Sequence, residues 1–242
     1  MKAKWITPAV TAMDENGRVD IEANKKIYDF LIEKGMDGIL LLGSIGEFFA
    51  IPTAEKKALI RAALAHIDRR VPVYVGTNEM NLEACVELSN FALDAGADGA
   101  MVISPYYFNL PDSAILNFYD TLADRVHGPV LLYNFPDRTG YDLRPDLVHT
   151  LVSRHKNIVG IKDTVPTMGH TRALIQKVKK EYPDFSCSPA LTNSSATMCS
   201  AAATGASPGC PTLRRRSPPG MRRPPAPMTW PPCARRSSAS TP

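Results

Sequence analysis

The sequence predicts an α/β fold, a (β/α)8 barrel whose regularity breaks off after about the seventh strand. Three observations carry this. Short apolar runs alternate with amphipathic segments, at about the spacing of a βαβ repeat. No GxGxxG follows the first strand, which disfavours the runner-up, an open doubly wound sheet. Polar residues of the kind used in sites recur at strand ends, the edge where barrels carry their chemistry.

The elements follow in order. Trp5 to Met13 can form a first strand. Asp20 to Lys34 is amphipathic through Ile21, Ile27, Phe30 and Leu31, and Gly35 stops it. Gly38 to Leu42 reads as a buried parallel strand and Thr53 to Ile67 as a helix with Glu55 in its first turn. Pro72 to Gly76 is a strand. Asn81 can cap a helix to Ala95, which Gly96 closes. Gly99 to Ile103 is a strand, and Asp112 to Val126 a helix behind Pro111. Val130 to Asn134 and Ile158 to Lys162 are strands flanking a helix from about Arg144 to Ser153. A helix from about Thr167 to Lys180 and a strand starting at Phe185 to Ser188 complete the regular part.

Residues 1–188 therefore form one unit, and 189–242 are of another kind. The last acidic residue is Asp184, and 11 of the 21 prolines lie beyond it. The only charges there are seven arginines, from Arg214 to Arg236. They account for the formal net charge of +4 and leave the rest of the chain at −3. A disordered basic tail is one reading. A frameshift is preferred, because GC-rich coding read out of frame yields this Pro/Arg/Ala/Ser bias. Ala190 to Asn193 can be encoded so that the neighbouring frame reads Gly-Phe-Asp-Glu, and a similar exercise around Cys199 to Gly205 gives Gly-Gly-Asp-Gly. Strand eight is then absent in recognisable form.

No apolar run of about 18 residues predicts a membrane span, and the N-terminus lacks the pattern of a signal peptide. A cytoplasmic protein is expected. Five cysteines show no metal-ligand spacing and read as free thiols, so no metal is expected. The ordered part has no basic stripe, which argues against a nucleic-acid partner.

Lys162 ends the apolar run Ile158 to Ile161, and Tyr133 ends another one repeat earlier. Consecutive parallel strands then carry a phenol and an amine at one sheet edge, the ingredients of a Schiff-base site. A long cation at the end of a buried strand is costly unless solvated, paired or chemically used. Pairing with Asp163 or Glu47 is the structural alternative. The functional reading needs a neutral amine, which partial burial favours. The amine attacks a ketone, the iminium stabilises a carbanion beside it, and Tyr133 shuttles the proton.

Gly43-Ser44-Ile45-Gly46-Glu47 follows the second strand. Its glycines let backbone N–H groups approach a small anion, and Ser44 adds a hydroxyl. Glu47 is a site carboxylate or an acceptor for the loop's own N–H groups, the latter preferred. Tyr107, after the fourth strand, is a packing residue unless the relay needs another phenol. Arg138 is either a solvated arginine or a clamp on a substrate carboxylate.

These motifs resemble the family of dihydrodipicolinate synthases and N-acetylneuraminate lyases, pyruvate-using class I aldolases. The resemblance runs from about Ala3 to Ser188. It rests on Gly43-Ser-Ile-Gly-Glu47, Pro105-Tyr-Tyr107, Tyr133-Asn-Phe-Pro136 with Thr139-Gly140, and Gly160-Ile-Lys-Asp163. It implies a barrel with a helical C-terminal region, usually a tetramer; a dimer is the alternative assembly, and no cofactor is expected. It implies an imine between Lys162 and pyruvate, a relay of Tyr133, Ser44 and a Tyr107 from a neighbouring subunit, and N–H groups around Ser44 and Ile45 on the pyruvate carboxylate. Synthases of the family usually carry two adjacent threonines where this chain has Ser44 and Ile45. Gly-Ser-x-Gly-Glu-Phe and Tyr-Asn-Phe-Pro are more similar to 2-keto-3-deoxy sugar acid aldolases. The expected partners are thus pyruvate and an aldehyde or a 2-keto-3-deoxy acid. The alternatives are a 4-hydroxy-tetrahydrodipicolinate synthase, for which Arg138 speaks, and an inactive barrel serving as a binding subunit, which the intact lysine–tyrosine pair opposes.

Overall fold

The computed structural model describes residues 6–189, and structural statements refer to these. The strands are β1 (Ile6–Pro8), β2 (Gly38–Leu41), β3 (Val73–Gly76), β4 (Gly99–Ile103), β5 (Val130–Asn134), β6 (Ile158–Asp163) and β7 (Ser186–Pro189). The helices are α1 (Ile21–Glu33), α2 (Thr53–Ile67), α3 (Leu82–Asp94), α4 (Asp112–Arg125), α5 (Pro136–Thr139), α6 (Pro145–Arg154) and α7 (Met168–Leu174). All six strand pairings are parallel and the order is β1-β2-β3-β4-β5-β6-β7. Each strand pairs with its predecessor in the chain, so the reversal of strand order that marks a doubly wound sheet does not occur among the described residues.

The inner strands are nearly continuous in apolar residues because both their faces are covered. β2 and β4 are buried at every position, whereas the outermost strands β1 and β7 are partly exposed. Tyr119, Leu122, Val148 and Leu151 of α4 and α6 pack with Val130, Leu132 and Ile161. Tyr28, Ile60 and Ala63 of α1 and α2 fall in a second cluster with Ile39, Leu41 and Val75, which also holds Ile103 and Tyr133. Leu132 and Tyr133 thus serve different layers, as alternation along a strand requires.

Two helix starts, those of α1 and α3, follow their capping residues. The Asp20 carboxylate accepts from Ala23 N–H at 2.9 Å and Asn81 Oδ1 from Ala84 N–H at 3.0 Å. Several expectations need correction. The first strand is shorter than Trp5 to Met13: it ends at Pro8, and Met13 instead bridges antiparallel to Val19. On α1 it is Tyr28 that is buried, while Phe30 is 56% exposed under the Lys34 ammonium. The helix expected to Lys180 is α-helical only to Leu174 and continues as a π-helical turn, Ile175–Lys179. Pro189, placed at the start of the irregular segment, ends β7 opposite Asp163. The rest of that segment lies outside the described residues.

One irregularity sets the phase of the site. Val130 pairs with Ile158, but Leu131 pairs with Gly160, so Val159 is an extra residue in β6. The shifted register then sets Leu132 opposite Ile161, Tyr133 opposite Lys162 and Asn134 opposite Asp163. Without the bulge Tyr133 would face Ile161. Gly160 beside it is a close-approach position: a Cβ there would lie 2.8 Å from the Ser186 carbonyl oxygen on β7.

Candidate active site

At the end of β2 the chain turns sharply. Leu42 is buried and left-handed, with φ +52°, a conformation that a branched side chain adopts only under constraint. Its carbonyl points at β3, where a Cβ on Gly76 would meet that oxygen at 2.1 Å. Only glycine fits there. The turn leads into a 3₁₀ segment, Ser44–Gly46, which the Thr11 hydroxyl ties down by donating to Gly46 O at 2.7 Å. The turn's own bonds begin with Gly46 N–H to Gly43 O and Glu47 N–H to Ser44 O. The N–H groups of Ser44 and Ile45 precede that ladder, as first-turn donors do.

Ser44, Tyr133 and Lys162 come together. The Ser44 Oγ and the Tyr133 hydroxyl are 3.1 Å apart. The Lys162 Nζ lies 3.9 Å from the centroid of the Tyr133 ring. Tyr133 is 1% exposed and Lys162 half-buried. The Tyr133 ring also tilts against Phe135, 5.9 Å between centroids, and the Arg138 guanidinium covers Phe135 at 5.4 Å. Arg138 is thus linked to the group through an aromatic ring, with its charged end exposed on α5.

Two residues stand apart. Tyr107 is 84% exposed at φ +104°, its ring against Phe108. Within one chain it is not brought to Tyr133 or Ser44. Glu47 is exposed and left-handed, and its carboxylate accepts no hydrogen bond among the described residues, so the preferred role as acceptor for the loop is corrected. Nor does Lys162 pair with Glu47 or Asp163 there, because the Asp163 carboxylate is already taken.

Asp163 is 1% exposed. Its Oδ1 accepts from Asn134 Nδ2 at 2.8 Å, its Oδ2 from the Thr171 hydroxyl, and both oxygens lie 3.0 Å from His170 Nδ1. Asn134 Nδ2 also donates to Asp142 at 2.7 Å, and Asn134 Oδ1 accepts from Leu143 N–H at 3.0 Å. His170 Nε2 reaches Leu143 O at 3.1 Å and Asp142 at 3.3 Å. Burial pushes the Asp163 carboxyl up, but the bonds from His170, Thr171 and Asn134 outweigh it and hold it below the ordinary carboxylate value. Burial likewise pulls His170 down, yet Asp163, with Asp142, sets it above the usual imidazole value.

Sequence reasoning missed this network. A signal existed for part of it, since Asn134 and Asp163 each follow a site residue by one position on neighbouring strands. His170 and Thr171 gave none, being polar residues inside an amphipathic helix. A buried ion pair was missed too: Lys56 Nζ lies 2.7 Å from Glu79, which pins the segment after β3 to α2. Among the described residues no group of three His, Cys, Asp or Glu side chains is disposed to hold a metal ion, and no helix is long and apolar enough to cross a membrane.

The fold and site define a parallel α/β protein with an amine, a phenol and a hydroxyl gathered where β2, β5 and β6 end. The chain belongs to the dihydrodipicolinate synthetase family, whose model matches residues 1–209. It is similar to "Putative 2-dehydro-3-deoxy-D-gluconate aldolase YagE" of Escherichia coli K12, 44% identical over 74% of this chain and 60% of that protein. "Probable 2-dehydro-3-deoxy-D-pentonate aldolase YjhH" of the same organism is 41% identical over 75% and 60%. A 4-hydroxy-tetrahydrodipicolinate synthase of Methanoculleus marisnigri is 39% identical over 73% and 61%. The crystal structure of YagE in complex with pyruvate superimposes with a TM-score of 0.79 at 40% identity, over 82% of this chain and 66% of that one. The chain spans about three-fifths of the length of the curated relatives it matches.

Proposed function

We propose that this chain carries the imine-forming site of a class I carbon–carbon lyase or aldolase that uses or releases pyruvate, with a 2-keto-3-deoxy acid as substrate. One observation carries the reading: the Lys162 nitrogen over the Tyr133 ring, with the Tyr133 hydroxyl on Ser44. In the cleavage direction the neutral amine attacks the C2 carbonyl and water leaves, forming an iminium. Tyr133, relaying through Ser44, takes the proton from the C4 hydroxyl. The C3–C4 bond breaks, its electron pair flows into the iminium, and an aldehyde departs. The enamine is protonated at C3, and hydrolysis frees pyruvate and Lys162. Gly43, Gly46 and the N–H groups of Ser44 and Ile45 form the seat for the carboxylate, with Glu47 at its rim. Ile45, lacking a hydroxyl, and the names of YagE and YjhH support the sugar-acid reading.

A second reading, condensation of pyruvate with aspartate semialdehyde, is favoured by one observation, the exposed Arg138 guanidinium beside Phe135. Incubation with pyruvate and borohydride, then peptide mass spectrometry, tests the common step. The adduct is expected on Lys162, and its absence there in folded protein would sink both readings. Side-by-side turnover of a 2-keto-3-deoxy acid and aspartate semialdehyde separates them.

We further propose that the seven strands belong to a (β/α)8 barrel and that copies assemble as dimers or tetramers, one supplying its exposed Tyr107 to the other. The sequential parallel order and the likeness to YagE support the barrel. The segment from about 190 is proposed to be read out of frame, which the nucleotide sequence over codons 185 to 215 decides.

A further inference from the structure

Both ring nitrogens of His170 face acceptors. Leu143 O, 3.1 Å from Nε2, can only accept. Asp163, 3.0 Å from Nδ1, accepts from Asn134 and Thr171 as well. A neutral imidazole has one N–H and one lone pair, so one nitrogen would meet an acceptor with a lone pair. The ring satisfies both neighbours only as a double donor. Through these bonds it joins β6, the Asp142–Leu143 segment before α6, and α7.

The place of this junction matters. Asn134 follows Tyr133 and Asp163 follows Lys162, and the two pairs are consecutive in the β5–β6 register. Thr164 N–H closes the same corner on Asn134 O at 2.8 Å. The backbone just past both reacting side chains is therefore held by one carboxylate, and that carboxylate is held by His170. We infer that His170 is a positioning residue: as a doubly donating imidazolium it locks the ends of β5 and β6 and so keeps the Lys162 amine laid across the Tyr133 ring. This deepens the imine-forming reading above and rests on it.

The charged groups around the ring are Asp163 on β6 and Asp142 before α6. From β7 the Cys187 thiol feels the charges of Lys179 and Asp163, and burial pushes it up to about 12, so it stays neutral through the working range. His170 is thus the group whose loss of a proton would undo the junction on the alkaline side, and its raised value puts that loss above the ordinary imidazole range.

The test uses the full 242-residue chain, wild type and His170→Gln, whose amide keeps a neutral donor at every pH. Two rates are read at Lys162 by peptide mass spectrometry from pH 6 to 9.5: trapping of the pyruvate imine with cyanoborohydride, and acylation by acetic anhydride. Acylation needs only a free amine and is expected to rise with pH equally in both proteins. Trapping at pH 7 is expected to be about tenfold slower in His170→Gln, as a misplaced reacting group would give. Trapping falls on the alkaline side in both proteins as the iminium loses its proton, so the ratio of wild type to variant is read, and it is expected to shrink toward one as pH rises. A ratio that does not change with pH would overturn the inference. Imidazole 15N NMR of the wild type decides independently of catalysis and of how the variant folds. Two N–H protons on His170 at pH 7 are expected, and a single one overturns the inference. Normal acylation with no trapping at any pH, but two N–H protons, would sink the aldolase reading and leave the His170 junction standing.

Discussion

Two consecutive residue pairs at the ends of β5 and β6 treat their polar atoms in opposite ways. Tyr133 and Lys162 are sparsely bonded: one hydroxyl contact to Ser44 and one amine over a ring. Asn134 and Asp163, one position further, have their polar atoms committed to His170, Thr171, Asp142 and Leu143. Strand alternation turns the two pairs to different layers. The contrast teaches that reactivity and rigidity are divided between neighbours in sequence. Under the proposed mechanism, the groups that exchange protons are left with spare valences, and groups beside them are saturated so that the first do not wander.

The comparison breaks most completely at the amine. Lys162→Ala is expected to lower pyruvate-dependent turnover by at least about a thousandfold, with a melting temperature at or above that of the wild type. Kinetics and a thermal melt on the same preparation check both halves. Tyr133→Phe is next, with kcat down by roughly 10²–10⁴ and little change in KM, measured by steady-state assay. Asp163→Ala should show the opposite profile. Removing a buried, fully bonded carboxylate strands His170, and a loss of about 3 kcal/mol is expected, read as a denaturant midpoint shift. Should Asp163→Ala leave stability untouched, the division drawn here would be wrong. Ser44→Ala is milder: about a tenfold fall in kcat, with pyruvate binding retained in calorimetry.

The smallest effect concerns pH. His170 sits above its ordinary value in the folded state, so its contribution is complete below about pH 6.5 and fades as pH rises through the raised value. Asp163 sits below its ordinary value, so its contribution is present above about pH 4 and fades as pH falls through the lowered value. Wild-type stability should form a plateau between these limits. Thr171→Val, which removes one donor to Asp163, should raise the acid edge by a fraction of a pH unit in melts taken across the range.

Much of this was legible beforehand. The strand ends Asn134 and Ile103 and the cap Asn81 were read from the sequence because apolar runs and capping residues act locally. Tyr133 and Lys162 were placed side by side by their one-repeat spacing, and Ser44 was singled out by the glycines around it; the structure brings the three together. The rest depends on partners far along the chain. Tyr28 rather than Phe30 is buried because of where α1 lies on the sheet, which no periodicity within α1 reveals. Glu47 lost its expected role because a left-handed backbone turns it outward to solvent. His170 acquired one only because α7 brings it over Asp163.

The extra residue in β6 has a consequence beyond its local geometry. Whether Tyr133 meets Lys162 or Ile161 is decided by a count of residues, and the chemical character of Val159 is incidental to it. The meeting of phenol and amine is therefore stored in spacing. Val159→Thr or Val159→Ala should be tolerated, since that side chain is 37% exposed. Deleting Val159 would only remove the bulge and keep Tyr133 opposite Lys162, whereas inserting one residue after Gly160 would set Ile161 against the phenol and turn the amine toward the helices. Substitution scans would judge the position permissive. A scan of single-residue insertions between Gly160 and Lys162 would find that stretch unforgiving.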